Sequence, residues 1–464
     1  MPLSVRLTAA CQLIASAAAF YHPSSFNPLE HLGGISPTFE PHDPPTSPLP
    51  PQGCTPVRAA YLSRHAAIYS NDFDNEEYIE PFLAKLENHT GVNWSNIPSL
   101  SFLADWTAPF SKAEEELLTR AGKLEATQLA ISLSFRYPNL RLPKRVWTSS
   151  ADRTAESAQA LVRGFELQEN TINVVSIYES KEAGANTLTP YKSCPAYAGA
   201  TGSKQSAEYR QIFTRPITAR LNALARAFNF TDKDVFGMME LCGYESVIRG
   251  SSPFCNLDLF SPDDWLGWEY ASDIMYHYNT GYGNDASGAI GLPWLKATAD
   301  LLLDSSNSDV EDLYVSFTHR ELPPTVVVAM GLFNNSAPGG GDINATMPLD
   351  RINHRRAWKS SHILPFLGNV AIERLNCSGS YGFSDGEYYR ALINNAPQEL
   401  PDCFDGPGTS CSRRGFESYL QARVALFDGF SDRCGVDYDN STDVLTIYTD
   451  PAVGTAVGKR FLWG

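Results

Sequence analysis

Basic residues are scarce in this chain: 36 Lys and Arg stand against 52 Asp and Glu, a formal charge of −16. Nucleic-acid and acidic-membrane surfaces need basic patches, so neither partner is expected. Any anionic small molecule must be attracted by local charge. There is no Cys-x-x-Cys, which argues against zinc ribbons and thioredoxin-like sites. There is no Gly-x-Ser-x-Gly elbow, no His-Glu-x-x-His and no phosphate-binding Gly-x4-Gly-Lys-Ser/Thr loop. No two of the nine histidines are spaced i, i+4 for a metal. Gly339-Gly340-Gly341 lacks the strand–turn–helix setting of a dinucleotide site. No run approaches the roughly 18 apolar residues of a membrane span, and no internal repeat is found.

What is present points outside the cell. Arg6, the mostly apolar stretch Leu7–Ala19 and the small residues Ala17-Ala18-Ala19 read as a secretory signal over residues 1–19. Cys11 would leave with it. Cys54, Cys194, Cys242, Cys255, Cys377, Cys403, Cys411 and Cys434 remain, an even set that suggests four disulfides. Spacing alone does not pair them, although Cys242/Cys255 and Cys403/Cys411 are natural local bridges. Acceptor sequons at Asn88, Asn93, Asn229, Asn334, Asn344, Asn376 and Asn440 fit a secreted, extracellular glycoprotein.

With 43% hydrophobic residues over 464 positions the chain can bury a large core. Within it, three short β-rich runs each end in residues that carry chemistry. Val57–Leu62 leads to Arg64-His65. Arg145–Thr148 leads to Ser149-Ser150-Ala151-Asp152-Arg153. Leu313–Thr318 leads to His319-Arg320-Glu321. In an open α/β sheet, ligands bind beyond the carboxyl ends of the strands. Two arginines, two histidines and a carboxylate converging there would form an anion site with a nucleophile and a proton donor. Arg153 also stands at the start of a helix expected over Thr154–Phe165, where backbone N–H groups favour an anion. Each cluster has an ordinary explanation when taken singly. Arg153 could cap a helix or pair with Asp152 or Glu156. Glu321 could open the next helix, with Pro323-Pro324 close by, and His319 could be a buried, hydrogen-bonded histidine. None of these explains the coincidence of all three.

The rest of the chain divides around these runs. Prolines crowd residues 20–53, which read as an extended N-terminal arm. Ser111–Tyr137 reads as a helix, capped by Ser111 with Glu114, stopped by Pro138, and carrying Leu117, Leu118, Ala121, Leu124 and Ala126 on its apolar face. Helices are expected over 207–228, 233–242 and 263–278, followed by a glycine-rich loop over 281–291, a helix over 293–305 and a strand over 371–376. The expected organisation is an α/β catalytic core from residues 54–165 and 293–464, with a mostly helical cap over 166–292.

At these clusters the chain resembles the histidine acid phosphatases of the phosphoglycerate mutase-like superfamily, and within them the secreted fungal phytase-like branch. The resemblance covers most of residues 54–464. It extends to Leu118-Thr119-Arg120-Ala121-Gly122, to Phe213 through Leu221, to Phe230 through Val235, and to Ser252-Pro253-Phe254-Cys255. It implies a phosphoglycerate mutase-like α/β/α core with a helical cap insertion, a small-molecule phosphomonoester substrate, and no metal or other cofactor. It implies the disulfides Cys54–Cys377, Cys194–Cys434, Cys242–Cys255 and Cys403–Cys411. It also implies roles: His65 as the nucleophile that becomes a phosphohistidine, Arg64 and Arg153 as holders of the phosphate oxygens, and His319 as a further donor.

Two departures from the family pattern stand out. The usual first motif is Arg-His-Gly-x-Arg-x-Pro; here it reads Arg64-His65-Ala66-Ala67-Ile68-Tyr69-Ser70. A charged hydrogen bond is worth about 1.5–3 kcal/mol, so losing one at the transition state would slow turnover roughly ten- to a hundredfold. Phytases usually carry His-Asp where this chain has His319-Arg320-Glu321. Glu321 is similar to the glutamate of the His-Ala-Glu arrangement in multiple inositol polyphosphate phosphatases, which implies that Glu321 is the proton donor. Arg320 either supplies part of the charge missing at position 68 or points to solvent. Ile68 also opens a second reading: a repurposed scaffold with weak or no phosphatase activity that takes a non-phosphate anionic metabolite.

Overall fold

Neighbouring residues of strand β1 (Cys54–Arg64) face opposite ways. Ala59 and Tyr61 enter one hydrophobic cluster, and Ala60 and Leu62 enter the other. A strand with this period of two and both faces buried belongs inside an α/β/α sandwich. The computed structural model describes residues 26–41, 44–89, 91–165, 171–197, 199, 202–304, 311–335, 347–450 and 455–456. The expected signal segment, Gly339-Gly340-Gly341 and Asn344 lie outside the described residues.

The other strands are β2 (Arg145–Ser149), β3 (Asn173–Ile177), β4 (Leu313–Thr318), β5 (Asn369–Cys377), β6 (Gly386–Ile393), β7 (Ala396–Gln398), β8 (Cys411–Ser412) and β9 (Thr455–Ala456). They form one sheet in the order β7-β6-β5-β1-β4-β2-β3-β9, with β8 paired to β6. The pairs β1/β4, β4/β2 and β2/β3 are parallel, and the remaining pairs are antiparallel. Arg64 is opposite Thr318, and Ser149 is opposite Ile177, so the carboxyl ends of four adjacent strands open on one side. The helices Arg120–Arg136 and Asp152–Phe165 cover one face. Ser287–Leu303, Leu322–Met330 and Arg413–Phe427 cover the other. The helices Ser203–Leu224, Asp232–Arg249 and Pro262–Asn279 extend the first cluster into a separate helical layer.

The structure departs from the sequence reading at four places, each with a physical cause. First, the Ser111/Glu114 capping box exists, but it opens only the short turn Lys112–Glu114. Glu116 then takes a left-handed conformation, φ 65°, and Leu118 bridges to Ile68. The helix starts at Arg120, capped by Thr119, and buries Ala126, Leu129, Ala130 and Leu133, leaving Leu117 and Leu124 exposed. Second, the glycine-rich stretch is already helical from Ser287, with Pro293 inside the helix, so this helix crosses the expected division at 292/293. A Cβ at Gly291 would sit 2.1 Å from the Thr325 carbonyl oxygen, so this glycine permits close helix packing and does not make a loop. Third, β3 belongs to the core sheet although it lies in the segment expected to be cap; Val174, Val175 and Ile177 supply the β-branched pattern. Fourth, the proline-rich arm is docked. Leu32 to Ile35 are buried against the helix Pro262–Asn279.

All four disulfides implied by the resemblance are present: Cys54–Cys377, Cys194–Cys434, Cys242–Cys255 and Cys403–Cys411. The first joins β1 to β5 at the end far from the site, and the second ties the 190–197 segment to the C-terminal region.

Candidate active site

Four parallel strands deliver side chains to one place. Arg64 ends β1 and His65 follows it. His319, Arg320 and Glu321 follow β4. Ser149 ends β2, with Arg153 in the first turn of the next helix. Glu179 lies two residues beyond β3. The His65 backbone is clamped: its N–H donates to Thr318 O at 2.9 Å, and its carbonyl accepts from Leu367 N at 3.1 Å. The rings of His65 and His319 meet edge-on, 5.8 Å between centroids. Ala66 N donates to Ser157 Oγ at 2.9 Å, which pins the turn after the histidine.

This geometry sets the His65 tautomer. Nδ1 lies 2.9 Å from the Ala66 carbonyl oxygen. A carbonyl only accepts, so Nδ1 carries the hydrogen and Nε2 keeps its lone pair. Nε2 has no hydrogen-bond partner among the described residues. Burial first, then the cations Arg64 and Arg153 and the His319 ring, hold the His65 pKa well below the usual imidazole range. The shift favours the neutral ring, with the lone pair on Nε2.

The surrounding nitrogens are only partly satisfied. Arg64 Nη1 donates to Gly34 O and, at 2.8 Å, to Leu364 O, and its guanidinium lies 4.5 Å from the centre of the Phe366 ring. Its Nε is buried without a partner. Arg153 makes an ion pair with Glu116, Nη1 to Oε2 at 2.5 Å, and its Nε is likewise buried and unpaired. His319 Nε2 donates to Glu179 Oε1 at 2.9 Å, while its Nδ1 is buried without a partner. Buried polar atoms are nearly always hydrogen-bonded. The two unsatisfied guanidinium nitrogens are donors free to meet oxygen atoms from outside, and His319 Nδ1 joins them as a donor when the ring is protonated.

Arg320 does not point to solvent. Its Nε is 3.2 Å from Glu321 Oε1. Tyr276, Glu321, Asp74 and Tyr244 face it and, against burial, hold it charged well above the ordinary range. Arg64 feels its charge, and burial first of all lowers Arg64 to about 10. Glu321 stands just before the helix Leu322–Met330, whose first turn holds Pro323 and Pro324. Burial would raise the Glu321 carboxyl, but Arg320, His319 and Arg64 outweigh it and hold the group below its usual range. Ile68 is buried in the core and bridges to Leu118, so no cation occupies that position.

Two functional neighbours escape a reading of the sequence clusters. Glu179 orients His319 and also pairs with Lys192. Burial opposes its ionisation, yet its bonds to His319 and Lys192 keep it ionised far into acid. Its signal was available, since it follows the β-branched run Asn173–Ile177 in the same way that the other clusters follow theirs. Glu116 takes the place expected of Asp152 or Glu156 as the partner of Arg153, and Glu156 pairs with Lys123 instead. Nothing local in the sequence announces Glu116.

A neutral, oriented imidazole ringed by guanidinium groups at the carboxyl end of a parallel sheet defines a histidine-centred anion site. The description of the histidine phosphatase superfamily, branch 2, matches residues 58–394, and the chain belongs to that family. A phytase of Candida albicans is 29% identical over 92% of this chain and 90% of its own length. An acid phosphatase of Komagataella pastoris is 30% identical over 89% and 87%. The crystal structure of the phytase from D. castellii superposes with a TM-score of 0.81 over 95% of this chain and 97% of that one, at 24% identity.

Proposed function

We propose that the protein is a secreted acid phosphomonoesterase, a phytase-like histidine acid phosphatase that works through a phosphohistidine. In the first step His65 Nε2 attacks phosphorus in line. The P–N bond forms, the bond to the alcohol oxygen breaks, and Glu321 gives its proton to that oxygen. In the second step a water oxygen attacks phosphorus, its proton goes to Glu321, and the P–N bond breaks to release inorganic phosphate. Arg64, Arg153 and His319 hold the non-bridging oxygens, with Arg320 supplying charge that Ile68 does not. Phosphoryl transfer depends mainly on such positioning and neutralisation.

The observation that carries this reading is the set of unpaired buried nitrogens on Arg64, Arg153 and His319 around a His65 whose Nε2 is free. Family membership favours it over a pocket repurposed for a non-phosphate metabolite. Secretion is supported by the 1–19 segment and by eight cysteines bound in disulfides, which persist in oxidising compartments. No helix among the described residues is long and apolar enough to cross a membrane. The test is rapid quenching in alkaline detergent after mixing with an aryl phosphate labelled in its phosphate, followed by alkaline work-up that preserves phosphohistidine. Labelled protein is expected from the native chain and none from His65→Ala. Full turnover by His65→Ala would end the reading.

A further inference from the structure

The turn after His65 is zipped to the segment that precedes the helix Arg120–Arg136. Glu116 N donates to Ser70 O at 2.7 Å, Tyr69 N to Leu117 O at 3.0 Å and Thr119 N to Ala67 O at 3.0 Å, with Ile68 bridged to Leu118. At the far end of this short ladder Glu116 holds φ 65°. The left-handed region is costly for a residue with a side chain and open to glycine. A strained residue persists where its surroundings impose it, and such residues gather at functional sites. What glycine would lack here is the carboxylate. Glu116 Oε2 stands 2.5 Å from Arg153 Nη1, and its Oε1 accepts from Asp72 N at 3.4 Å. The contact with Arg153 is one of charge, since Oε2 has no aligned hydrogen bond. Among the described residues no other carboxylate pairs with Arg153. Asp152 is exposed, and Glu156 pairs with Lys123 at 2.9 Å.

We propose that Glu116 is a positioning residue for the phosphate site: it holds the Arg153 guanidinium by Nη1 so that the Nε edge faces the anion, and its left-handed backbone persists because it delivers the carboxylate there. The inference rests on the phosphatase reading above. Arg153 is then fixed at both ends. Ser157 Oγ donates to the Arg153 carbonyl at 2.7 Å and accepts from Ala66 N at 2.9 Å, which ties the backbone of the arginine to the nucleophile turn. Glu116, on the other strand of the ladder, ties its side chain to the same turn. A guanidinium offers more than one edge to an anion. Glu116 takes Nη1, and the buried, unpaired Nε leaves the other edge for phosphate oxygens. The charge of Arg153 reaches the rings of both His65 and His319. An arginine set in this way loses less freedom when phosphate arrives.

The test compares Glu116→Gly and Glu116→Gln with the native full chain by melting, by kcat/KM for phenyl phosphate and by the inhibition constant of inorganic phosphate. Glu116→Gly relieves the backbone, so it should melt at or above the native temperature. Both variants should nonetheless lose roughly tenfold in kcat/KM and bind inorganic phosphate about tenfold more weakly, the low end for one charged contact. A residue with only a structural role would show activity following stability. Arg153→Met supplies a second readout. In that background Glu116→Gly should change kcat/KM by less than about twofold, because Glu116 acts through Arg153. Glu116→Gly with native kcat/KM and native phosphate inhibition, or with its tenfold loss undiminished in the Arg153→Met background, would overturn the inference, while hydrolysis of phenyl phosphate by the native chain left the phosphatase reading standing. A native chain that hydrolyses no phenyl phosphate would remove both.

Discussion

Replacing Glu179 by glutamine tests whether a residue that touches no substrate atom governs the phosphate site. Glu179 accepts from His319 Nε2 at 2.9 Å and also meets Lys192, so its carboxylate fixes both the tautomer and the direction of the His319 ring. Gln keeps the shape and one acceptor oxygen but removes the charge. A hydrogen bond to a charged group is worth about 1.5–3 kcal/mol, which corresponds to a loss of roughly ten- to 150-fold in kcat/KM if it is expressed in the transition state. The sign of the pH effect follows from the same pair. Burial lowers the His319 pKa and Glu179 raises it. In Glu179→Gln the imidazolium therefore persists only to a lower pH, and the alkaline limb of kcat/KM moves toward acid. Stability gives a second readout. The Glu179 pKa is depressed in the fold, so its contribution is present above the ordinary carboxyl range and is lost only as pH falls through the lower folded value. The melting deficit of the variant should thus be equal at pH 7 and pH 5 and shrink only in stronger acid. Steady-state assays with an aryl phosphate and melts over pH 2–8 decide the matter. An unchanged pH profile with full kcat/KM would show that Glu179 does not act through His319.

Three further outcomes are expected. The kcat/KM of the native chain should fall as pH rises from acid to neutral. Glu321 must be protonated to donate, its pKa is held below the usual carboxyl value, and His65 stays neutral far below pH 6.5; a maximum above pH 7 in a buffer series would contradict these roles. Gly122→Ala should lose about 1–3 kcal/mol of stability by overpacking and also lose activity, because its Cβ would stand 2.3 Å from the Ala67 carbonyl oxygen in the turn that follows His65; a variant with native melting and turnover would refute this. Glu125→Gln should stabilise the protein at pH 8 and be neutral at pH 4. Burial raises Glu125 to about 7, so its folded-state penalty sets in as pH climbs from the ordinary carboxyl value toward 7 and is full above it; equal melting shifts at both pH values would count against it.

What the sequence made legible is what strand ends make local. Leu313–Thr318 is a strand with those bounds, and Arg64-His65, Arg153 and His319-Arg320-Glu321 follow adjacent parallel strands as the β-rich runs before them required. What stayed hidden depends on partners far away in the chain. The Ser111 capping box is a true local signal, but the chain turns left-handed at Glu116, where its carboxylate meets Arg153. The glycines at 288 and 291 look like loop residues until Phe427 and Thr325 are seen to leave no room for a Cβ. Proline content marks the arm as extended, yet nothing in it shows that Gly34 gives its carbonyl to Arg64.

The exchange at position 68 follows the same logic. Ile68 removes a cation from the first motif and spends its side chain on the core beside Leu118. Arg320 enters the cavity from the neighbouring strand, close enough to Arg64 for each to feel the other and held there by Glu321, Tyr276 and Asp74. An arginine just after β4 in place of one after β1 keeps the count of cations while moving one of them toward Asp74 and Tyr276. If the charge has moved in this way, Arg320→Leu should cost at least as much in kcat/KM as one charged hydrogen bond, about 1.5–3 kcal/mol, and Ile68→Arg in that background should restore part of it. If Arg320→Leu turned over at the native rate, Arg320 would be a structural partner of Glu321 and no substitute for the lost cation.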